Sequence, residues 1–123
     1  MVKATRFLPI LAGLTMGLAS GLNAQTAVTD EMIAQGKTLF AGAAGCQMCH
    51  GPAGKGTPMT KPLTDGEWAF ATDGTFEALV KLITDGLPAG GAVKMPMPAA
   101  STKKLSEEQI EALAAYVMSL SKP

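Results

Sequence analysis

The chain has 123 residues, about the length of one small domain. Its composition is 47% hydrophobic but only 5% aromatic, so it can bury a workable core of modest size. Ten basic and ten acidic residues give a formal net charge of zero, which argues against nucleic acid or an anionic membrane surface as a partner.

The first stretch of the chain has the pattern of a secretory signal peptide. Lys3 and Arg6 give it a basic start, and residues 7–19 are almost wholly apolar. An uncleaved membrane anchor is the alternative, but this apolar run is shorter than the roughly 20 residues that a span needs. The pattern predicts a cleaved signal at residues 1–24. It also predicts a mature domain at residues 25–123, exported to the periplasm and without a membrane span.

Three stretches of the mature chain predict helices. The first covers residues 30–41, where apolar residues recur at helical spacing after a capping threonine. The second begins at residue 76 and stops at Gly86. The third follows Ser106, which forms a Ser-x-x-Gln capping box with Gln109. Loops rich in glycine and proline separate them, and no stretch alternates as a strand would. We expect an all-α fold with three to five helices.

The most informative motif lies just after the first helix and reads Cys46-Gln47-Met48-Cys49-His50. Cys-x-x-Cys-His is the attachment signature of a c-type haem, in which two thiols bond to one porphyrin and the histidine binds its iron. A thioredoxin-like redox pair would need a βαβ context, and a zinc site would need a fourth ligand. The motif therefore predicts one covalent haem c, with His50 as the proximal ligand.

The second axial ligand of this iron can be narrowed by elimination. His50 is the only histidine of the chain, so a methionine thioether is the natural remaining donor. Met48 lies inside the attachment motif, and Met59 follows His50 by nine residues and belongs to the same loop. Two further methionines lie in predicted helices. Met95 and Met97 remain, and each precedes a proline that favours an extended backbone.

Several motifs resemble those of class I c-type cytochromes of the small bacterial monohaem kind. Residues 36–40, Gly-Lys-Thr-Leu-Phe, resemble the first helix of that family, and residues 113–117, Leu-Ala-Ala-Tyr-Val, resemble the last. The resemblance implies that these two helices cross. Residues 97–99 resemble the Met-Pro-Ala ligand motif, which favours Met97 as the distal ligand. The doubled Met-Pro-Met-Pro departs from the common pattern and keeps Met95 as the second candidate.

The resemblance also implies roles for two residues after the attachment motif. The carbonyl of Pro62 would accept a hydrogen bond from the second ring nitrogen of His50 and so orient the ring. The indole of Trp68 would donate to a haem propionate. The alternatives are that Pro62 only shapes its loop and that Trp68 only packs.

The predicted function is one-electron transfer between a donor and an acceptor redox protein, without catalysis. Contacts with these partners would be transient, and the chain would be a monomer. Two alternatives keep the haem, namely a permanent cytochrome subunit of a dehydrogenase, and a sensor or peroxidatic protein with a labile methionine. A thiol–disulfide module is the alternative without haem. Five lysines flank the two haem loops and are candidates for docking an acidic partner: Lys55, Lys61, Lys94, Lys103 and Lys104.

Overall fold

A computed structural model describes residues 27–68 and 70–121, and this part of the chain is helical. Its four α-helices are α1 at Asp30–Ala41, α2 at Gln47–His50, α3 at Phe76–Asp85 and α4 at Glu107–Leu120. Short 3₁₀ turns occur at Pro52–Gly54 and Ala100–Lys103. Within these ranges residues pair only in isolated bridges, without a strand. The all-α class and the three predicted helices are confirmed. The predicted signal at residues 1–24 lies outside the described residues.

None of the helices in the described ranges has the length and hydropathy that crossing a membrane requires.

Helices α1 and α4 cross at a glycine. Gly36 is buried, and a Cβ added to it would overlap the carbonyl of Ala112 and lie 2.8 Å from the Cβ of Tyr116. One turn later the ring of Phe40 meets that of Tyr116 edge to face, with centroids 5.3 Å apart. Glycine is needed at position 36 because no side chain fits between the two backbones. The crossing of the first and last helices is therefore confirmed.

Local side-chain hydrogen bonds set where the longer helices begin. Thr29 and Thr75 each accept a hydrogen bond from the backbone N–H three residues further on, at 3.2 and 3.1 Å. Ser106 and Gln109 form the reciprocal capping box that the sequence predicted. These contacts satisfy N–H groups that the first turn of a helix leaves without a partner. The first residue of each of these three helices is therefore determined by side chains that are close to it in the sequence.

The core lies where α1, α3 and α4 meet. Helix α4 is the most deeply buried, since Ala112, Leu113, Ala114 and Ala115 are each at most 1% exposed. Leu39 and Phe40 of α1, and Leu79 and Ile83 of α3, complete the interior. Residues of the predicted haem site pack against the edge of this cluster, among them Cys46, Trp68 and Met97. The three helices thus provide the rigid support for that site.

Candidate haem-binding site

The Cys-x-x-Cys-His motif forms α2, a helix of a single turn. The backbone N–H of His50 donates to the carbonyl of Cys46 at 2.9 Å, and the N–H of Cys49 donates to the same carbonyl at 3.2 Å. A short turn after α1 leads into it, and Ala44 in that turn is 2% exposed. The two thiols and the imidazole are therefore held on one helical turn, as attachment to a single porphyrin requires.

The two cysteines differ in their surroundings. Both are free thiols, with Cys46 half-buried and Cys49 exposed. Burial raises the pKa of the Cys46 thiol, and the positive charge of Lys103 offsets part of that rise. Both sulfur atoms are available to form thioethers, so the donor chemistry fits covalent haem attachment.

His50 has one ring nitrogen that lacks a partner. The imidazole is half-buried and lies 6.4 Å from the ring of Phe40, measured between centroids. Its Nδ1 is buried and makes no hydrogen bond with the described residues. Burial lowers the pKa of His50, which favours the neutral imidazole that binds iron. A buried nitrogen without a partner is uncommon. Nδ1 is the nitrogen that the resemblance assigns to the Pro62 carbonyl, which leaves the other ring nitrogen, Nε2, for iron.

Two threonines tie the loop after His50 back to the attachment helix. The Thr60 hydroxyl donates to the carbonyl of Cys49 at 2.6 Å, and the Thr57 hydroxyl donates to the same carbonyl at 3.2 Å. The N–H of Gly56 also donates to the carbonyl of His50 at 2.8 Å. These contacts satisfy carbonyls at the end of α2 and hold the helix against its loop. No motif in the sequence singles out either threonine.

Pro62 and Trp68 are the two residues after the attachment motif for which the resemblance implies a role. Pro62 is exposed, and its carbonyl does not receive a hydrogen bond from Nδ1 of His50. The indole N–H of Trp68 donates to the carbonyl of Leu63 at 3.3 Å, within its own loop. This is a long hydrogen bond, and the side chain is half-buried. Their roles toward a bound haem stay predictions.

The two candidate methionines lie in different environments. Met97 is half-buried, packs against the core, and exchanges two backbone hydrogen bonds with Leu87, at 2.8 and 2.9 Å. Met95 is 46% exposed. Gly86 lies directly against the segment 97–99, since a Cβ added there would overlap the Met97 carbonyl. The sequence identified Gly86 only as a helix stop, and its contact with the methionine is new.

Met95 instead belongs to an open groove beside Cys49, of about 200 Å³. The residues that line this groove are uncharged. Its three methionines are accessible to solvent, with Met48 85%, Met59 64% and Met95 46% exposed. Large apolar side chains gathered at one exposed place often mark a contact surface. The residues that line this methionine groove are Met48, Cys49, Thr57, Pro58, Met59, Thr60 and Met95.

Comparison with known proteins agrees with this geometry. The sequence profile of the family described as Cytochrome c matches residues 33–121, which include the attachment motif, the methionines 95 and 97 and all of α2, α3 and α4. No curated protein and no solved structure matches the chain. The family binds haem c covalently, and the free thiols of Cys46 and Cys49 and the neutral imidazole that burial favours at His50 fit that cofactor. The chain therefore belongs to the cytochrome c family of haem-based electron carriers.

Proposed function

We propose that this chain is a periplasmic one-electron carrier that holds one haem c through Cys46 and Cys49, with His50 and Met97 as axial ligands. The observation that carries the proposal is helix α2, which places two free thiols and the only histidine of the chain on one turn. Haem iron supplies the one-electron redox chemistry when it is bound. The residues of the chain attach it, orient it and limit its access to water.

Two observations support Met97 over Met95 as the distal ligand. The backbone N–H and carbonyl of Met97 both form hydrogen bonds with Leu87, and Gly86 lies directly against the Met97 carbonyl. Its side chain is half-buried against the core, whereas that of Met95 is 46% exposed. A ligand on a fixed backbone, shielded from water, is better placed to stay bound through changes of iron charge.

The proposed ligand set also explains why this chain would carry electrons without catalysing a reaction. Once bound to iron, the single histidine could not act as a general acid or base. With His50 and Met97 both bound, no position would be open to a substrate. Electrons would then pass to partners without the formation of a bond to them. Extracytoplasmic location is typical of cytochrome c domains and supports the periplasm as the site of action.

Alanine variants of the two methionines test the ligand assignment in the haem-loaded protein. Met97→Ala should abolish the sulfur-to-iron charge-transfer band of the ferric protein and lower its reduction potential, because the soft thioether favours ferrous iron. Met95→Ala is the matched control and should retain the band. The opposite result would assign the ligand to Met95. Rapid carbon monoxide binding to the reduced wild-type protein would contradict a closed carrier and favour a sensor or peroxidatic protein.

The methionine groove is the surface through which we propose that redox partners make transient contact. It lies beside Cys49, where one edge of the haem would be attached, and charged side chains are absent from its walls. Lys61 and Lys94 adjoin it in the sequence and are exposed. A partner with an apolar centre and acidic margins would match this arrangement.

Charge substitutions in this groove can be tested with the anionic oxidant ferricyanide. Met48→Lys and Met59→Lys should speed oxidation of the reduced protein at low ionic strength, because the added charge attracts the anion to the point of electron exit. Phe70→Lys is the control, since Phe70 is 50% exposed and does not line the groove. An equal rate increase in all three variants would show that only net charge matters and would refute the groove as the exit.

A further inference from the structure

A lysine that follows Met97 is hydrogen-bonded to the turn that precedes Cys46. Lys103 Nζ donates a hydrogen bond to the carbonyl oxygen of Ala44, which lies 59 positions away in the sequence. Ala44 is 2% exposed, so water has little access to this residue as a competing partner. Because the donor carries a full charge, the bond is stronger than one between neutral groups. It joins residues 97–103, here called the methionine segment, to the entrance of the attachment motif.

Besides the two backbone hydrogen bonds between Met97 and Leu87, the methionine segment is held at a few points. Ala100 is 5% exposed and packs into the core, and the hydroxyl of Ser101 donates to the carbonyl of Thr84 at 3.2 Å. Directly after the segment, Lys104 has a left-handed backbone, with φ 56° and ψ 32°. Such a conformation is unfavourable outside glycine and persists where neighbouring contacts impose it. The bond of Lys103 to Ala44 lies on one side of this residue, and the packing of Leu105 against the core lies on the other.

We propose that Lys103 is a positioning residue, whose bond to Ala44 holds the methionine segment closed and keeps Met97 on the iron. The inference rests on the proposed His/Met ligation. The bond connects two loops, whereas the packing of α1 on α4 depends on Gly36, Phe40 and Tyr116. Loss of the bond should therefore open the segment locally without undoing the helical core.

Imidazole binding to the ferric holoprotein measures this opening. Free imidazole binds the iron only in molecules where the methionine has left it, so its apparent affinity scales with the open fraction. Lys103→Met removes the ammonium group and keeps a long apolar side chain. Loss of one charge-assisted hydrogen bond should raise the open fraction about tenfold, and the apparent Kd for imidazole should fall about tenfold. Lys103→Arg retains a charged donor and should have a Kd close to that of the wild type.

Lys104→Met is the matched control, because it removes the same charge one residue later and both lysines are exposed. It should leave the Kd for imidazole unchanged. Equal Kd values for Lys103→Met and Lys104→Met would overturn the proposal. Should Lys103→Met fail to take up haem, Lys103→Gln is measured instead, with the same fall in Kd expected.

The charge-transfer band of the wild-type ferric protein separates the two possible failures. Its absence would refute the His/Met ligation and, with it, the role of Lys103. An intact band together with equal Kd values in the Lys103 and Lys104 variants would refute the role of Lys103 alone.

Discussion

Gly86 ends α3 and lies directly against the segment that carries Met97, which makes Gly86→Ala a sharp test of how this methionine is held. The backbone of Gly86 has φ +66°, and a Cβ added there would overlap the Met97 carbonyl and lie 2.6 Å from the backbone nitrogen of Ala99. These are backbone atoms, which cannot rotate away as a flexible side chain could. The methionine segment would have to move to admit a methyl group.

The cost has two parts that a control can separate. Gly86 has φ +66° and ψ −167°, a backbone region that glycine almost alone adopts, and another residue there costs about 1–3 kcal/mol. Crowding in a well-packed place adds about 1–3 kcal/mol. Gly74→Ala is the control without crowding, since Gly74 also has a positive φ, +65°, and a Cβ there would meet nothing within 4 Å. The sum for Gly86→Ala, about 2–6 kcal/mol, is a large share of the roughly 5–15 kcal/mol that stabilises a typical domain.

Guanidinium unfolding of the ferric holoprotein, followed by far-UV circular dichroism and by the sulfur-to-iron charge-transfer band, measures both effects. Gly86→Ala should lose about 2–6 kcal/mol of unfolding free energy, and its charge-transfer band should disappear before the helical signal. Gly74→Ala should lose about 1–2 kcal/mol, with the two signals lost together. Equal losses in the two variants would refute the close contact between Gly86 and the methionine segment.

Two further predictions concern the packing of α1 on α4. Gly36→Ala should lower the unfolding free energy by about 1–2 kcal/mol, because its Cβ would overlap the carbonyl of Ala112. This loss is expected even though alanine favours helices more than glycine does. A more stable variant would contradict the crossing of α1 and α4. Burial raises the pKa of the Tyr116 phenol, so the folded protein retains this proton more strongly than the unfolded chain. That contribution is complete below the ordinary tyrosine pKa of about 10 and is lost as the pH rises through the higher folded value. Denaturant unfolding of Tyr116→Phe across this range should show a shallower alkaline loss of stability than the wild type, and an identical profile would exclude Tyr116 as its source.

Much of the helical framework could be predicted from sequence because its signals are local. Thr29 and Ser106 cap the helices that follow them through hydrogen bonds spanning three residues. The spacing of Cys46, Cys49 and His50 is likewise set by a single turn of chain. Such contacts depend on neighbours in the sequence, so a pattern of residue types is enough to identify them.

The hydrogen-bond partners of several residues at the candidate site could not be identified from the sequence in the same way. The N–H of Trp68 donates to Leu63, and Nδ1 of His50 has no partner among the described residues, although Pro62 was the predicted acceptor. Thr60 contacts the Cys49 carbonyl across eleven positions of a glycine- and proline-rich loop. The path of such a loop depends on what it packs against, and residue types alone do not determine it.

The sequence by itself predicted the chemistry of this protein, since two thiols, one histidine and the absence of a second histidine favour haem with a sulfur ligand. Only the tertiary structure decided how the segment that carries Met97 is held. The contacts of Gly86 with Met97 and of Lys103 with Ala44 join segments 11 and 59 positions apart. These contacts exist because α1, α3 and α4 pack around one core and bring their connecting loops together. No pattern of neighbouring residues in the sequence predicts a contact between such distant loops.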